Sequence, residues 1–583
     1  MSPDETTIRR PTVLSRLLFF IHRLPASDRL IFHTLLALAT ASGLLLIVVW
    51  STEQAAPIPA HDGTLREGMI GTVRFINPIL ANTRVDQDLS ALVYQGVLRV
   101  DTTGELVYDL ARSIEINDDG TEYLIHLRQD AQFHDGRPVT ARDVVFTYQL
   151  AQEPDLVSPH RGNWSNITIE QVDTFSVSLV LNEPYFPFQE NLTLGILPAH
   201  IWEEIPIPEA AFSTRNTNPI GSGPYSVTQV ERDGEGSIKA VTLDAHDNSS
   251  KPIRTIIVTL YPDQDALHAA LVADEIDSTA AFSQVDLTGF DLQQYTIHET
   301  PLPRVVALLF NQNRSPILRD SNVREALELA LDRTHILDQI KSETGIPTAK
   351  PIPSGYSMLE LSATSSPHTP TSTASTTATI TQLQAGDWEQ TDDGVWVQET
   401  TEGTIPLSLT IRTLDHPTFS AVASAVAQAW ETIGIEVMVE EYGQRDLADG
   451  IIRTRDFEIL LFGMDVTRSV DLYPFWHSSQ QTDPGQNIAQ YANIAVDSYL
   501  QTLRTSHDET ERYRAQTEFL QTIEEERPAI FLYTPTTRIL ARNDIALSIP
   551  TRIQNTANRW SGIHDWHTTT ENIWPWLHTY INY

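Results

Sequence analysis

Hydrophobic and polar positions along this chain change period from two to 3.6 and back, and the changes mark its elements. Leu407, Leu409 and Ile411 alternate with polar residues, as a half-buried strand does. Phe419, Val422, Ala423, Val426, Trp430 and Ile433 then fall on one face of a helix, which Gly434 ends. Ile435, Val437 and Val439 alternate again, a short polar helix is expected over Arg445–Arg453, and Phe457–Phe462 is almost wholly apolar. Such a run suits a strand buried on both faces. Strand–helix–strand–helix–strand order predicts a parallel sheet with right-handed crossovers, hence an α/β fold. Ligands of open α/β sheets sit beyond the carboxyl ends of strands. Those ends are Thr413-Leu414-Asp415 and Gly463-Met464-Asp465. Asp415 and Asp465 equally suit a turn or a helix cap.

Further helices are expected over 323–340, with Asp320 or Ser321 as cap, and over His507–Arg527, ended by Pro528 and followed by a strand Ala529–Tyr533. Thr140-Ala141-Arg142-Asp143 resembles a capping box opening a helix to Leu150. Tyr123–Leu127 and Phe175–Leu181 read as strands.

Two stretches break this pattern. Leu30–Trp50 holds 21 residues without a formal charge, long enough as a helix to cross a hydrocarbon core of ~30 Å. Arg9, Arg10, Arg16, Arg23 and Arg29 precede it, whereas Glu53 and Asp62 follow before any basic residue. The positive-inside rule puts residues 1–29 in the cytoplasm and the rest outside. A cleaved signal peptide is the competitor, but its apolar region would be shorter and nearer the start. Val13–Leu24 has the pattern of an amphipathic helix lying on the inner membrane surface. Residues 51–61 read as a Pro/Ala linker. Ser362–Thr379, nearly all Ser, Thr, Ala and Pro, is expected to form a disordered surface loop within a lobe.

Composition removes several chemistries. The chain lacks cysteine, which excludes disulfides, thiolate metal sites, cysteine nucleophiles and a lipidated cysteine. Its net charge of −37 repels nucleic acid. No Gly-Lys pair occurs, so a phosphate-cradling P-loop is excluded. Phe133-His134-Asp135-Gly136 pairs a histidine with an aspartate, which invites a catalytic reading; the resemblance given below implies a structural turn there instead. In Gly221-Ser222-Gly223 the glycines are expected to supply a tight turn with positive φ. His564 and His567 lie among tryptophans and suit packing better than metal binding. No catalytic, metal or cofactor site is expected.

Several segments resemble the extracellular solute-binding protein family 5, which serves dipeptide, oligopeptide and nickel ABC importers. They are Asn77-Pro78-Ile79-Leu80, Gly104-Glu105-Leu106-Val107-Tyr108-Asp109-Leu110-Ala111, Phe133 through Val144, Pro219-Ile220-Gly221-Ser222-Gly223-Pro224-Tyr225, Leu309-Phe310-Asn311, Val323-Arg324-Glu325-Ala326 and Phe475-Trp476-His477-Ser478-Ser479. The resemblance implies a two-lobe periplasmic-binding-protein-like fold of type II, in the large three-subdomain form, behind an N-terminal transmembrane helix. The divisions it implies are a cytoplasmic tail 1–29, transmembrane helix 30–50, linker 51–61, lobe one 62–303 with a subdomain at about 110–215, lobe two 304–535 with the loop 362–379, and a return to lobe one over 536–583.

The implied role is a non-enzymatic receptor that captures small peptides or similar solutes by hinge closure near Pro301–Val306 and Thr534–Ala541. Held outside the cell membrane, it would hand them to a membrane permease driven by cytoplasmic ATPase subunits. Candidate ligand-binding residues are Phe75, Asn77, Thr413, Asp415, Gly463, Met464, Asp465 and Asp471. Ser469-Val470 stands where the family usually has Asp-Pro. Asp465 is the best-placed partner for a ligand amino group and Asp471 the alternative. A sensor ectodomain and a secreted hydrolase stay open as other classes.

Overall fold

The computed structural model describes residues 25–54, 56–59, 63–246, 252–281, 291–340, 343–358, 374–401, 403–568 and 570–573. The chain divides into two compact units, Met1–Ala60 with Thr569–Tyr583, and His61–Thr568. In the first, one helix runs Ala26–Gln54 and overshoots the expected span at both ends. None of its apolar stretch Ser27–Leu46 is buried. Residues 51–61 are not an irregular linker throughout. The helix continues to Gln54, and Ala56–Pro59 pairs antiparallel with Thr570–Ile573. Pro57 and Pro59 are tolerated because a two-stranded ribbon consists of edges alone. Val13–Leu24 lies outside the described residues.

The second unit is threaded by one mixed sheet. Its order is Glu436–Tyr442, Ser408–Leu414, Ile459–Asp465, Arg304–Phe310, Ala529–Arg542, Ser278–Thr279, Gly63–Ile70, Ile253–Tyr261, Ile238–Ala245 and Tyr225–Arg232. The predicted parallel element is present: Ser408–Leu414 pairs in parallel with both Glu436–Tyr442 and Ile459–Asp465. The strand expected to end at Tyr533 continues to Arg542 because it changes partners. Its first part pairs with Arg304–Phe310 and its last with Tyr295–Pro301, while Thr344–Pro347 covers the middle, at Pro535. This strand and the Pro301–Arg304 link are thus two crossings between separate cores.

One core gathers apolar side chains from Leu65 to Leu260, with Ile545, Trp560, Ile563 and Trp566 returning to it. Beyond the crossings, the sheet is covered on both faces. Val306, Leu308 and Phe310 face one cluster; Val305, Ala307 and Leu309 face another. That explains the continuous apolar runs at 305–310 and 459–464. A four-stranded antiparallel sheet of Ala111–Ile116, Glu122–Leu127, Ser176–Leu181 and Ile167–Gln171 extends the first lobe.

The helix readings need two corrections, and one turn reading a third. The pattern over 323–340 is two helices, Ser321–Leu329 and Arg333–Asp338, because the Asp332 carboxylate accepts from the Thr334 and His335 amides and restarts the coil. The tract read as a loop over 362–379 is helical from Thr376, capped by Ser375, with Thr379 and Leu383 fully buried. Gly221 and Gly223 do not have positive φ. They are small because a Cβ would lie 2.0 Å from the Val93 carbonyl oxygen at Gly221, and 2.6 Å from it at Gly223. The Thr140/Asp143 capping box is formed, and Gly434 ends its helix at φ +91°.

Candidate ligand cleft

The strand Ile459–Asp465 ends at the crossing, where the Val466 amide donates to the Pro303 carbonyl over 2.8 Å. The turn that follows, 466–472, leans from the second lobe onto the first. Val470 lies in the left-handed region at φ +58°, which is strained for a β-branched residue. The turn is held there on both sides. The Arg468 guanidinium, 4% exposed, donates through Nη2 to Glu190 Oε2 at 2.7 Å and through Nε at 3.2 Å. Its Nη1 donates to the Gly104 carbonyl, and its backbone amide to Gln554 Oε1 over 2.7 Å. Glu190 comes from the 3-10 stretch Phe186–Thr193 of the first lobe. Burial pushes its carboxyl up, against the pull of Arg468.

Three residues later, Asp471 is also buried. Its Oδ2 accepts from the Tyr185 hydroxyl at 3.0 Å, across the lobes, and lies 3.6 Å from Arg504 Nε. Its Oδ1 accepts from the Tyr473 amide. Burial raises this carboxyl too, opposed by Arg504 and the Tyr185 hydrogen bond. Arg504 stacks between the rings of Tyr185 and Tyr473, 4.8 and 4.4 Å from their centroids. Arg512 lies 3.8 Å over Phe186.

Two cavities lie along this seam. One, of about 350 Å³, is lined by Gly104–Leu106, Phe186, Glu190, Arg468–Tyr473, Arg504 and Arg512. The other, of about 450 Å³, is lined by Gln95, Arg99, Asp109, Glu190, Arg468, Asn555 and Trp560. Each mixes acids, arginines, aromatic rings and backbone groups, as a site that orients a polar solute must.

Of the eight residues singled out from sequence, Asp471 alone lines either cavity. Asp465 is exposed at the strand end and paired with Arg304, Nε–Oδ1 2.6 Å and Nη2–Oδ2 3.0 Å. Gly463 and Met464 pair with Val306 and Val305 within the sheet. Thr413 is fully buried and donates to the Leu461 carbonyl. Asp415 is exposed at its own strand end. Asn77 is spent on structure, accepting from the Ile79 amide and donating to Asn216. The Phe75 amide donates to Asp86. Sequence reading missed Arg468, Glu190, Tyr185, Arg504 and Arg512.

The sequence profile of the bacterial extracellular solute-binding proteins, family 5 Middle, matches residues 105–486. The chain belongs to this family. The oligopeptide-binding protein AppA of Bacillus subtilis is 25% identical over 499 residues, covering 83% of this chain and 88% of that protein. The probable D,D-dipeptide-binding periplasmic protein DdpA of Escherichia coli is 22% identical over 508 residues, covering 84% and 92%. Solved structures repeat the architecture. AppA in complex with a nonapeptide superposes with TM-score 0.62 at 24% identity, covering 88% of this chain and all of that one. NikZ of Campylobacter jejuni with Ni(L-His) gives 0.62 at 23% over 87% and 99%, and the unliganded open form of the murein tripeptide-binding protein MppA gives 0.72 at 19% over 88% and 98%. The type II periplasmic-binding-protein fold is therefore that of this chain, and its family is one of solute binding.

The family motifs have structural tasks here. In Phe133-His134-Asp135-Gly136 the chain turns at Gly136, φ +83°, while His134 Nδ1 accepts from the Gly221 amide and Nε2 donates to the Gly223 carbonyl. The motif clamps the Gly221-Ser222-Gly223 segment against Val93. At 470 a proline is incompatible with the turn, since its ring fixes φ near −65° and this residue lies at +58°.

Proposed function

We propose that this protein is the extracytoplasmic substrate-binding receptor of an ABC importer, tethered by its N-terminal helix, which captures peptides by hinge closure and delivers them to a membrane permease. The observation that carries the reading is the seam: two separately cored lobes, joined at Pro301–Arg304 and within one long strand, meet around charged cavities through contacts that closure alone can make. Contacts absent from an open form are what drive closure. AppA and DdpA, whose names state oligopeptide and D,D-dipeptide binding, support peptide as the solute class. The tether is supported by an apolar stretch of 20 residues, Ser27–Leu46, roughly 30 Å of helix, following four arginines.

Within the cavity, Asp471 is the acidic group proposed to meet a ligand's amino terminus. Asp465, which pairs with Arg304 at the exposed strand end and lines neither cavity, is not. Molecules co-purifying with the full-length protein, identified by mass spectrometry, supply the peptides to titrate. Asp471→Asn is expected to weaken their binding at least tenfold and Asp465→Ala to leave it unchanged; the opposite ranking rejects the assignment. Absence of any bound or bindable peptide rejects the solute class. The intact mass of protein from carbonate-washed membranes tests the tether: a mass lacking the apolar stretch rejects it in favour of a cleaved signal.

A further inference from the structure

The two cavities share two lining side chains that face each other, Glu190 from the first lobe and Arg468 from the second. They are ion-paired at 2.7 Å, so the pair is a wall with a cavity on either side. We propose that the Arg468–Glu190 pair is an internal partition that sets the longest ligand the closed cleft accepts, and that removing it merges the two chambers. This rests on the receptor reading above.

Several features make the pair suited to partitioning. Arg468 is almost fully buried, and both of its side-chain acceptors, the Glu190 carboxylate and the Gly104 carbonyl, belong to the opposite lobe. Three of its five N–H donors are engaged in these bonds, so the planar fork is fixed rather than swinging. The wall is made of side chains and not backbone, so substituting two residues removes it. The second lobe contributes Arg468 from the strained turn whose other end is fastened by the Tyr185–Asp471 hydrogen bond. The smaller chamber lies between these two crossings and the larger lies beyond the pair. A ligand confined to one chamber has about 350 or 450 Å³; one that runs through both has more than twice the smaller volume.

Removing one charge alone would leave the other buried and unpaired, a change that threatens folding. The test therefore uses the double variant Arg468→Ala/Glu190→Ala in full-length protein in detergent micelles. Arg468→Lys serves as a milder variant, because it keeps the charge but cannot span both Glu190 and Gly104. Each protein is equilibrated with length-sorted pools of synthetic peptides from two to twelve residues, about 3.5 Å each when extended, and the retained species are weighed by native mass spectrometry. The wild type is expected to stop at a length that the double variant roughly doubles, with Arg468→Lys between them. Because the chain has no cysteine, Val157→Cys and Ile494→Cys, at positions 82% and 89% exposed on opposite lobes, take paired nitroxide labels. Their separation in unliganded protein is expected to lengthen or broaden when the pair is removed. An unchanged length limit, or label distances that do not respond, overturns the partition. A wild type that retains no peptide of any length rejects the peptide reading instead, and the label distances then decide the partition.

Discussion

Arg559 is the side chain on which the first lobe's closing segment turns, and replacing it with methionine is the most exacting stability test. Its side chain is 1% exposed and bonds Glu67 Oε1 at 3.0 Å and Asp88 Oδ1 at 2.5 Å, carboxylates that are 1% and 2% exposed. Trp560 Nε1 also donates to Asp88, and Ser278 to Glu67. Burial already raises the Glu67 carboxyl, with Arg559 the main opposing influence. Arg559→Met fills the volume but leaves two buried carboxylates. Breaking a buried pair in this way costs about 3–5 kcal/mol. Two orphaned acids would exceed that, but Arg84, attracted to both, offsets part of the loss. An expected 3–5 kcal/mol corresponds to a fall of roughly 6–20 °C in the melting of a lobe this size. Differential scanning fluorimetry measures it, and Arg559→Met/Glu67→Gln/Asp88→Asn is the control, since it removes the stranded charges and should recover at least half of the fall. A drop under about 2 °C, or a triple variant no better than the single, would refute the reasoning that the cation is needed to keep the acids buried.

Other outcomes follow from the same geometry. Burial pushes Asp109, on the wall of the larger chamber, up to about 6, although Arg99, Arg128 and the Gln95 amide oppose it. Its folded pKa is above its unfolded one, so the stability it contributes is complete below about pH 4 and lost as pH rises through 6. Asp109→Asn keeps an oxygen for Gln95 and should raise the melting temperature at pH 7.5 but not at pH 4; the limit is about 3 kcal/mol, reduced by screening to about 1–2. Gly221→Ala sets a Cβ 2.0 Å from the Val93 carbonyl oxygen, so soluble, folded protein should be lost or its stability lowered by more than about 3 kcal/mol, read by expression and urea unfolding. Tyr185→Phe removes the hydroxyl that reaches Asp471 across the seam, and affinity for whatever peptide binds should fall about tenfold in calorimetry, the worth of one hydrogen bond to a charged group.

The second lobe was legible from sequence because its physics is local. A sheet covered on both faces demands unbroken apolar strands, and an amphipathic helix between two such strands repeats its signature every turn, so 407–462 announced itself. Where the sequence misled, long-range partners decided. The strand at 529 outlasted its apolar run because Tyr295–Pro301 and Thr344–Pro347 supply ladders to a segment rich in threonine and proline. Thr376–Thr379 belongs to a helix because Ser375 caps it and Leu383 anchors its far end, features that low-complexity composition conceals.

The cleft shows the same division more sharply. Rules about strand ends selected Asp415 and Asp465, and both are at strand ends, but a carboxylate there answers to its nearest cation. For Asp465 that is Arg304, its cross-strand neighbour in the sheet. The cavity residues Arg468 and Asp471 find their partners across gaps of 278 and 286 positions, in Glu190 and Tyr185, and no periodicity spans such distances. One local clue existed all the same. Ser469-Val470 stands where the resemblance implied Asp-Pro, and the left-handed turn at Val470 gives that reading a physical content. A proline at 470 would forbid the left-handed turn, and without that turn the chain could not carry Arg468 to the Glu190 carboxylate and Asp471 to the Tyr185 hydroxyl within four residues. A chain with Val470→Pro should therefore lose both lobe contacts together while its second-lobe sheet remains intact, read by distances between nitroxide labels on the two lobes and by circular dichroism.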